Sequence, residues 1–508
     1  MQKSKLEKDD PARGVLFQYV STAITFLSGI LFYIFLAKTF PTTVVGEVSL
    51  LLAIATIMNI IFTLGLQNGA QHFISFYLGK NDIGRVYSIV IQIVIFGFLL
   101  ASLGSLVLFL LSQQFAMLFF HGSQYGFLVR FLALELFFMI CFNLFNGVLL
   151  GLQNFRLSAL VSIFGQSFSY FFSFALIYSF KEVQFAILGL AIGYGISTII
   201  SIVVIYKKIS FRNSPLSLAE SRPLFSYSIP ILFSSIIGYG STYIDRFVVA
   251  YFLNISDLGI YSFVLLISGS LALIISPFSN ILLPKLSEIF STGTREDLRN
   301  AVAISASVVA YVFTPAALGI ASLSREILIL FAGTSYLPGA LPLSLLMFIS
   351  AIFVTQNVLG ATLFSVRATK IFLFVASATL ISNVSLSFLL IPRYGLIGAA
   401  ISNSSVSVVA FAIEYYFARK LSVSSFQITR IAKIWFSSVV MFLLVMFLQI
   451  KIGFEVGMLP FYIVIGLIVF VLVGKILRVF DKETKNFLFD RLFKKDRKII
   501  RTLLLYLL

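Results

Sequence analysis

The sequence predicts an all-α integral membrane protein of about 14 transmembrane helices, built as two six-helix lobes from an internal parallel repeat plus two extra C-terminal helices. Three observations carry this prediction. The 508-residue chain is 59% hydrophobic and only 11% charged, with a mean hydropathy of +1.03. A soluble domain is about 25% charged, and its surface needs polar cover that this composition does not supply. The apolar residues fall in runs of about 20 that do not alternate, which is a helix spanning a bilayer rather than a barrel strand. Thirdly, segments recur at a nearly constant spacing. Hydrocarbon cannot bond the backbone, so each run must satisfy its own donors and acceptors as a helix.

The spans lie near residues 15–37, 46–68, 86–111, 127–151, 157–180, 184–206, 224–252, 258–283, 301–322, 338–363, 371–391, 396–418, 431–450 and 457–478. Met1–Arg13 carries both signs of charge, and no small-residue cleavage site follows the first run, so that run reads as helix 1 rather than a signal peptide. With the N-terminus inside, 30 of the 37 Lys and Arg fall on the inner side. The other 7 are Lys38, Arg130, Lys181, Arg246, Arg325, Arg393 and Lys451. That asymmetry supports an even span number with both termini cytoplasmic. It also accounts for the formal charge of +17 through inner loops, without nucleic acid as a partner.

Lys38–Ser49 recurs as Tyr251–Ser262 at an offset of 213, with Gly46 answering Gly259. Ser75–Asp82 echoes Ser287–Thr294 at an offset of 212, and Gly151–Arg156 echoes Ser365–Lys370 at 214. Each match is weak alone; three in order at almost one offset make a duplication. Each copy holds six spans, so the copies are parallel, as in two-lobed transporters with solute bound between lobes. The expected divisions are 1–210 and 211–420 for the lobes, 421–480 for helices 13 and 14, and 481–508 for a basic amphipathic tail. In that tail Leu488, Leu492, Ile499 and Leu503 share a face, which reads as a helix lying on anionic lipid.

At this point a resemblance enters. Ala37-Lys-Thr-Phe-Pro-Thr-Thr-Val-Val-Gly-Glu-Val-Ser49, Asp245–Phe252 with Asp257–Ser262, and Ile391–Ala400 resemble the polysaccharide transporter branch of the multidrug/oligosaccharidyl-lipid/polysaccharide exporter superfamily, the O-antigen-type (Wzx-like) flippases. The likeness covers about residues 10–480; the charged tail departs from it. It implies two six-helix lobes in a V around a central cavity lined by helices 1, 2, 7 and 8. It further implies a plasma-membrane flippase that moves polyprenyl- or dolichyl-diphosphate-linked oligosaccharide to the outer leaflet by alternating access. The implied partners are that glycan lipid, membrane lipids and glycan-assembly proteins; no cofactor is implied.

Ionisable groups inside a bilayer are costly, so each invites a functional reading. Asp245 and Arg246 lie in helix 7, and their repeat counterparts are Phe32 and Tyr33, so the scaffold itself does not demand charge there. Arg246 and Asp245 are candidate contacts for the substrate diphosphate or an acidic sugar. The alternative is a buried ion pair or a snorkelling Arg. Asn59, Gln67 and Asn68 on helix 2 suit sugar hydroxyls, with Gln71 and His72 beside them; most other amides in the spans read as ties between helices. Glu135 in helix 4 and Glu414 in helix 12 are candidates for ion coupling. Arg130 reads as an interfacial anchor. Prolines concentrate after residue 215, which places bends in the second lobe.

Cys141 is the only cysteine and His72 and His121 the only histidines, so neither a disulfide framework nor a metal site is expected. No Gly-x-x-x-x-Gly-Lys-Ser/Thr loop occurs, which argues against an ATP-driven pump. Two rivals stay open. A membrane glycan polymerase or ligase would need acid–base residues on a sizeable outer loop, and the outer loops are short. An ion-coupled multidrug antiporter of the same superfamily would need an acidic site in the first lobe, where helices 1 to 3 carry no buried acid.

Overall fold

The computed structural model describes residues 11–208, 221–368, 370–423, 426–453 and 455–479; the basic tail from 481 lies outside them. Every regular element among the described residues is a helix. In order they are α1 (Pro11–Thr39), α2 (Thr42–Thr63), α3 (Leu66–Gly79), α4 (Ile83–Leu110), α5 (Ser112–Phe120), α6 (Gly126–Gly151), α7 (Phe155–Ser162), α8 (Phe168–Phe180), α9 (Val183–Lys208) and α10 (Ser221–Phe252). There follow α11 (Ile255–Thr292), α12 (Arg295–Ser322), α13 (Ser324–Ala332), α14 (Ala340–Phe353), α15 (Gln356–Ser365), α16 (Lys370–Lys420), α17 (Ile428–Ile452) and α18 (Leu459–Ile476). A π turn over Ile163–Ser167 joins α7 to α8. By length and apolarity 12 of the described helices can cross a membrane. One of these is the 51-residue α16, which is broken at Gly395 (φ 57°, ψ −132°), a backbone conformation open essentially to glycine alone.

The chain forms two compact units, Met1–Gly259 and Ile260–Leu508. In the first, α6 is the central helix, packed on α2, α3, α4 and α9, and α10 packs on α2, α3 and α5. In the second, α12 packs on α14 and α17, and α14 on α16.

Element bounds repeat at the spacing seen in the sequence. The pair α4 and α5 (83–110, 112–120) reappears 212 residues on as α12 and α13 (295–322, 324–332). The stretch 42–79 reappears as α11 (255–292), and α6 (126–151) as α14 with α15 (340–365). Each sequence echo falls on a structural punctuation mark. Asp82 caps α4 by accepting the Arg85 backbone N–H (3.2 Å), and Thr294 caps α12 by accepting that of Asp297 (3.1 Å). Gln153 (φ 59°) and Arg367 (φ 61°) are the left-handed residues that end α6 and α15. Gly46 and Gly259 mark a crossing of α2 and α11. A Cβ on Gly46 would overlap the Ile255 carbonyl oxygen, and one on Gly259 would overlap that of Thr42. The Thr42 and Ser256 hydroxyls meet there at 2.7 Å.

Three features differ from expectation. Helix 2 does not end near 68 but breaks at Leu64 (φ 50°) and Gly65 (φ 69°) and continues as α3 to Gly79. Two short helices, α5 and α13, sit in stretches read as connections. Bends are not confined to the proline-rich half: the Leu64–Gly65 break and the π turn both lie in the first unit and contain no proline.

Candidate functional site

The first unit gathers polar chemistry around α10, the least apolar of the twelve candidate spans. Asp245 is fully buried, and its Oδ1 accepts the backbone N–H of Arg246 at 2.8 Å. Arg246 is half-buried, and its guanidinium carbon stands 4.4 Å from the centre of the Tyr243 ring one turn back. That cation–π contact holds the charge without neutralising it. Tyr33 of α1 lies within electrostatic range of Arg246 and Tyr243 and accepts a hydrogen bond from Ser49 of α2 (3.3 Å). Tyr170 of α8 stacks on Phe32, with ring centres 5.1 Å apart. The Tyr33 hydroxyl and the Glu135 carboxyl are both within electrostatic range of Tyr170.

Glu135 sits on α6 with 0% exposure, and neither carboxyl oxygen has a hydrogen-bond partner among the described residues. Tyr170 and Tyr194 are the hydroxyl-bearing rings in its field. The first unit thus links Arg246, Tyr243, Tyr33, Tyr170 and Glu135 in one electrostatic group. None of the tyrosines was singled out from sequence. The available signal was the repeat, which pairs Tyr33 with Arg246, and the tendency of a tyrosine hydroxyl within a span to seek a polar partner.

Towards its N-terminal half α10 borders a recess of about 450 Å3 at Pro230, Ser234, Ser235, Gly238, Tyr239 and Thr242. Ser234 and Thr242 each donate to the carbonyl four residues earlier, at 3.1 Å. Their oxygens keep lone pairs for a ligand.

The remaining candidates divide. Asn59 accepts a hydrogen bond from the Asn143 amide (3.1 Å), so it ties α2 to α6. Gln67 is half-buried where α3 meets α6, its carbonyl oxygen 2.6 Å from where a Cβ on Gly147 would sit. Asn68 is exposed on α3. Glu414, on α16 of the second unit, is 2% exposed; its Oε1 accepts from Gln356 at 3.5 Å, while Oε2 has no partner among the described residues. Arg130 donates to Ser112 (3.3 Å) and lies over the Phe109 ring, tying α6 to α5 and α4. The first three spans are not wholly free of part-buried acid: Glu47, in the second turn of α2, is half-buried and bonds Tyr125. Among the described residues no three His, Cys, Asp or Glu side chains gather as a metal site.

Fold and composition define a multi-pass α-helical membrane protein. A family model described as "polysaccharide biosynthesis protein" matches residues 12–290, more than half of the chain, and the protein belongs to that family. Among curated proteins it is 27% identical over 262 residues to the capsular polysaccharide biosynthesis protein CapF of Staphylococcus aureus, covering 49% of this chain and 63% of that one. It is 24% identical over 238 residues to the probable low-salt glycan biosynthesis flippase Agl15 of Haloferax volcanii, covering 46% and 48%. The matches thus span less than two-thirds of the length of either relative. Among solved structures, the inward closed form of the lipid II flippase MurJ superposes with a TM-score of 0.72 at 16% identity, over 91% of this chain and 99% of that one. An inward-facing multidrug resistance MATE transporter of the MOP superfamily gives 0.66 at 14% identity, over 79% and 96%. These two likenesses establish the fold.

Proposed function

We propose that the protein is a flippase that carries a polyprenyl- or dolichyl-diphosphate-linked oligosaccharide from the cytoplasmic to the outer leaflet by alternating access, for polysaccharide or glycan assembly. The observation that carries this reading is Arg246: an arginine half-buried in a membrane helix, seated on Tyr243 within a group of tyrosines. An anionic diphosphate crossing the bilayer needs such a cation, and the hydroxyls suit a hydrated glycan. Asp245 orients the turn that presents Arg246. Glu135 and Glu414 are the groups able to take a proton or a cation and so couple transport to a gradient. Asn68, with Gln67 beside it, extends the polar surface for sugar, while Asn59 is engaged by Asn143.

Family membership and the names of CapF and Agl15 support the substrate class. The repeated element bounds support two six-helix lobes followed by two further helices. The broken α16 and the 38-residue α11 are compatible with fourteen spans. The placing of Lys and Arg supports a plasma-membrane protein with both termini in the cytoplasm. Glycan-assembly proteins are the partners expected to receive its product. The reading is of a transporter, not an enzyme.

The multidrug antiporter remains as a second reading because Glu135 provides a buried acid in the first unit. Purified protein in proteoliposomes separates the two. Outer-leaflet glycan lipid is scored with an impermeant lectin, with and without a proton or sodium gradient. Transfer above empty liposomes supports the flippase. Efflux of a cationic dye with no transfer of any glycan lipid overturns it in favour of the antiporter.

A further inference from the structure

Outside the Arg246 group, α3 carries a patterned face. The helix buries Leu66, Gly69, Ala70, Ile74, Tyr77 and Leu78. Asn68, His72, Phe76 and Lys80 recur every four residues and so form one stripe, and all four are exposed. The stripe runs about 18 Å along the helix axis. It alternates hydrogen-bonding, aromatic and cationic groups. Facing hydrocarbon, the amide, imidazole and ammonium would be expensive, so this face belongs to water or to a polar ligand.

The stripe is also held in place. Tyr227 of α10 stacks on His72 with ring centres 4.5 Å apart and planes within 11°, and Phe76 lies nearly parallel to His72 at 6.3 Å. Lys80 Nζ stands 4.3 Å over the Phe76 ring. Close helix contact fixes this register: a Cβ on Gly69 would overlap the Ser228 hydroxyl of α10. The Asn68 amide and the His72 ring nitrogens have no hydrogen-bond partner among the described residues. The second copy does not repeat the pattern: at the offset of 212 that aligns this stretch, Pro284, Glu288 and Thr292 stand where the first has His72, Phe76 and Lys80, and only Asn68 finds its like in Asn280.

We propose that this stripe contacts the sugar part of the transported headgroup. A sugar ring has an apolar C–H face and a polar hydroxyl rim. Tyr227 and Phe76 offer aromatic faces to the first, Asn68 and His72 bond the second, and Lys80 takes the adjoining phosphate. The inference rests on the flippase reading and deepens it: Tyr227 and Arg246 stand about 28 Å apart along α10, so Lys80 and Arg246 meet the diphosphate at successive stages of transfer, and the stripe selects the lipids that bear sugar.

Binding is measured on the full chain in nanodiscs with three probes: a short polyprenyl diphosphate bearing an N-acetylated disaccharide, the same lipid without sugar, and phosphatidylglycerol. The sugar-bearing lipid is expected to bind about tenfold tighter than the sugarless one. His72→Ala and Tyr227→Ala should each remove most of that preference. Tyr227→Phe should keep it, and Lys80→Gln should weaken both diphosphates alike. A preference that survives both alanine variants overturns the proposal. So does phosphatidylglycerol binding as tightly as the glycan lipid, which would make the stripe an anchor for bulk lipid. Wild-type transport, measured alongside, separates the failures. Transport with an unaltered preference sinks the stripe alone, while neither transport nor binding of glycan lipid sinks the flippase reading with it.

Discussion

The two copies of the repeat share their backbone bounds and disagree in their chemistry. Asp245 and Arg246 stand where the first copy has Phe32 and Tyr33. Glu135 answers to Ile349, and Glu414 to Ile200. Even the breaks alternate: residues 42–79 are split at Leu64–Gly65 where α11 runs on, whereas α6 is continuous where its counterpart divides into α14 and α15. Duplication preserved what the fold requires, namely caps, left-handed ends and close crossings. The charged groups occupy positions where the other copy is apolar or aromatic, so packing alone does not explain them.

This contrast can be attacked first where the copies agree. Gly46→Leu or Gly259→Leu should abolish folded protein, since each side chain would meet a backbone carbonyl rather than a movable group. The loss should exceed the ~1–3 kcal/mol usual for an overpacked core. Gly238→Leu is the control, because nothing lies within 4 Å of its Cβ position. Size exclusion and thermal unfolding in detergent read the difference; a well-folded Gly46→Leu protein would refute the crossing.

Where the copies differ, transport is the readout. Arg246→Ala should lower the initial rate of glycan-lipid transfer by more than about tenfold, the scale of one charge-assisted contact. Arg246→Lys should recover part of it, because the ammonium keeps the charge but loses the planar fork. Full activity in the alanine variant would remove Arg246 from the substrate path. A smaller effect is expected from Glu135→Ile, which installs the residue of the second copy. It should flatten the dependence of transport on an imposed proton or sodium gradient while leaving the protein folded. Unchanged gradient dependence would shift the coupling role to Glu414, tested by Glu414→Ile. The smallest effect belongs to the amide tie. Asn143→Ala should cost about 0.6 kcal/mol of stability, the average for a hydrogen bond between membrane helices, and spare transport. A large loss of transport there would mean that Asn59 meets substrate after all.

Much of the scaffold was legible because hydrocarbon permits so few answers. Runs of apolar residues gave the spans; Gly46 with Gly259 and the capping pair Asp82 with Thr294 marked the repeat, because a close crossing admits only a small residue and a helix start favours a short oxygen-bearing side chain. The left-handed Leu64 that breaks helix 2 was not legible, since nothing in an apolar run distinguishes a residue at φ 50° from its neighbours. Likewise α5 and α13 are short and lie between spans, where a hydropathy pattern has nothing to register. Of the candidate site, Asp245, Arg246 and Glu135 announced themselves by charge. The tyrosines around them did not, because Tyr33 and Tyr170 read as ordinary aromatic filling until α1 and α8 are brought together. Asn59 shows the converse, for an amide's sequence position does not reveal whether another amide already answers it.

The crossing at Gly46 and Gly259 has a genetic corollary. At most packed positions an enlarged side chain can be accommodated by trimming the residue opposite, so suppressor mutations exist. Here the obstacle on each side is a carbonyl oxygen, which every amino acid carries. No second-site change of side chain across the contact can make room, and a selection for revertants of Gly46→Leu should return only small residues at position 46 itself.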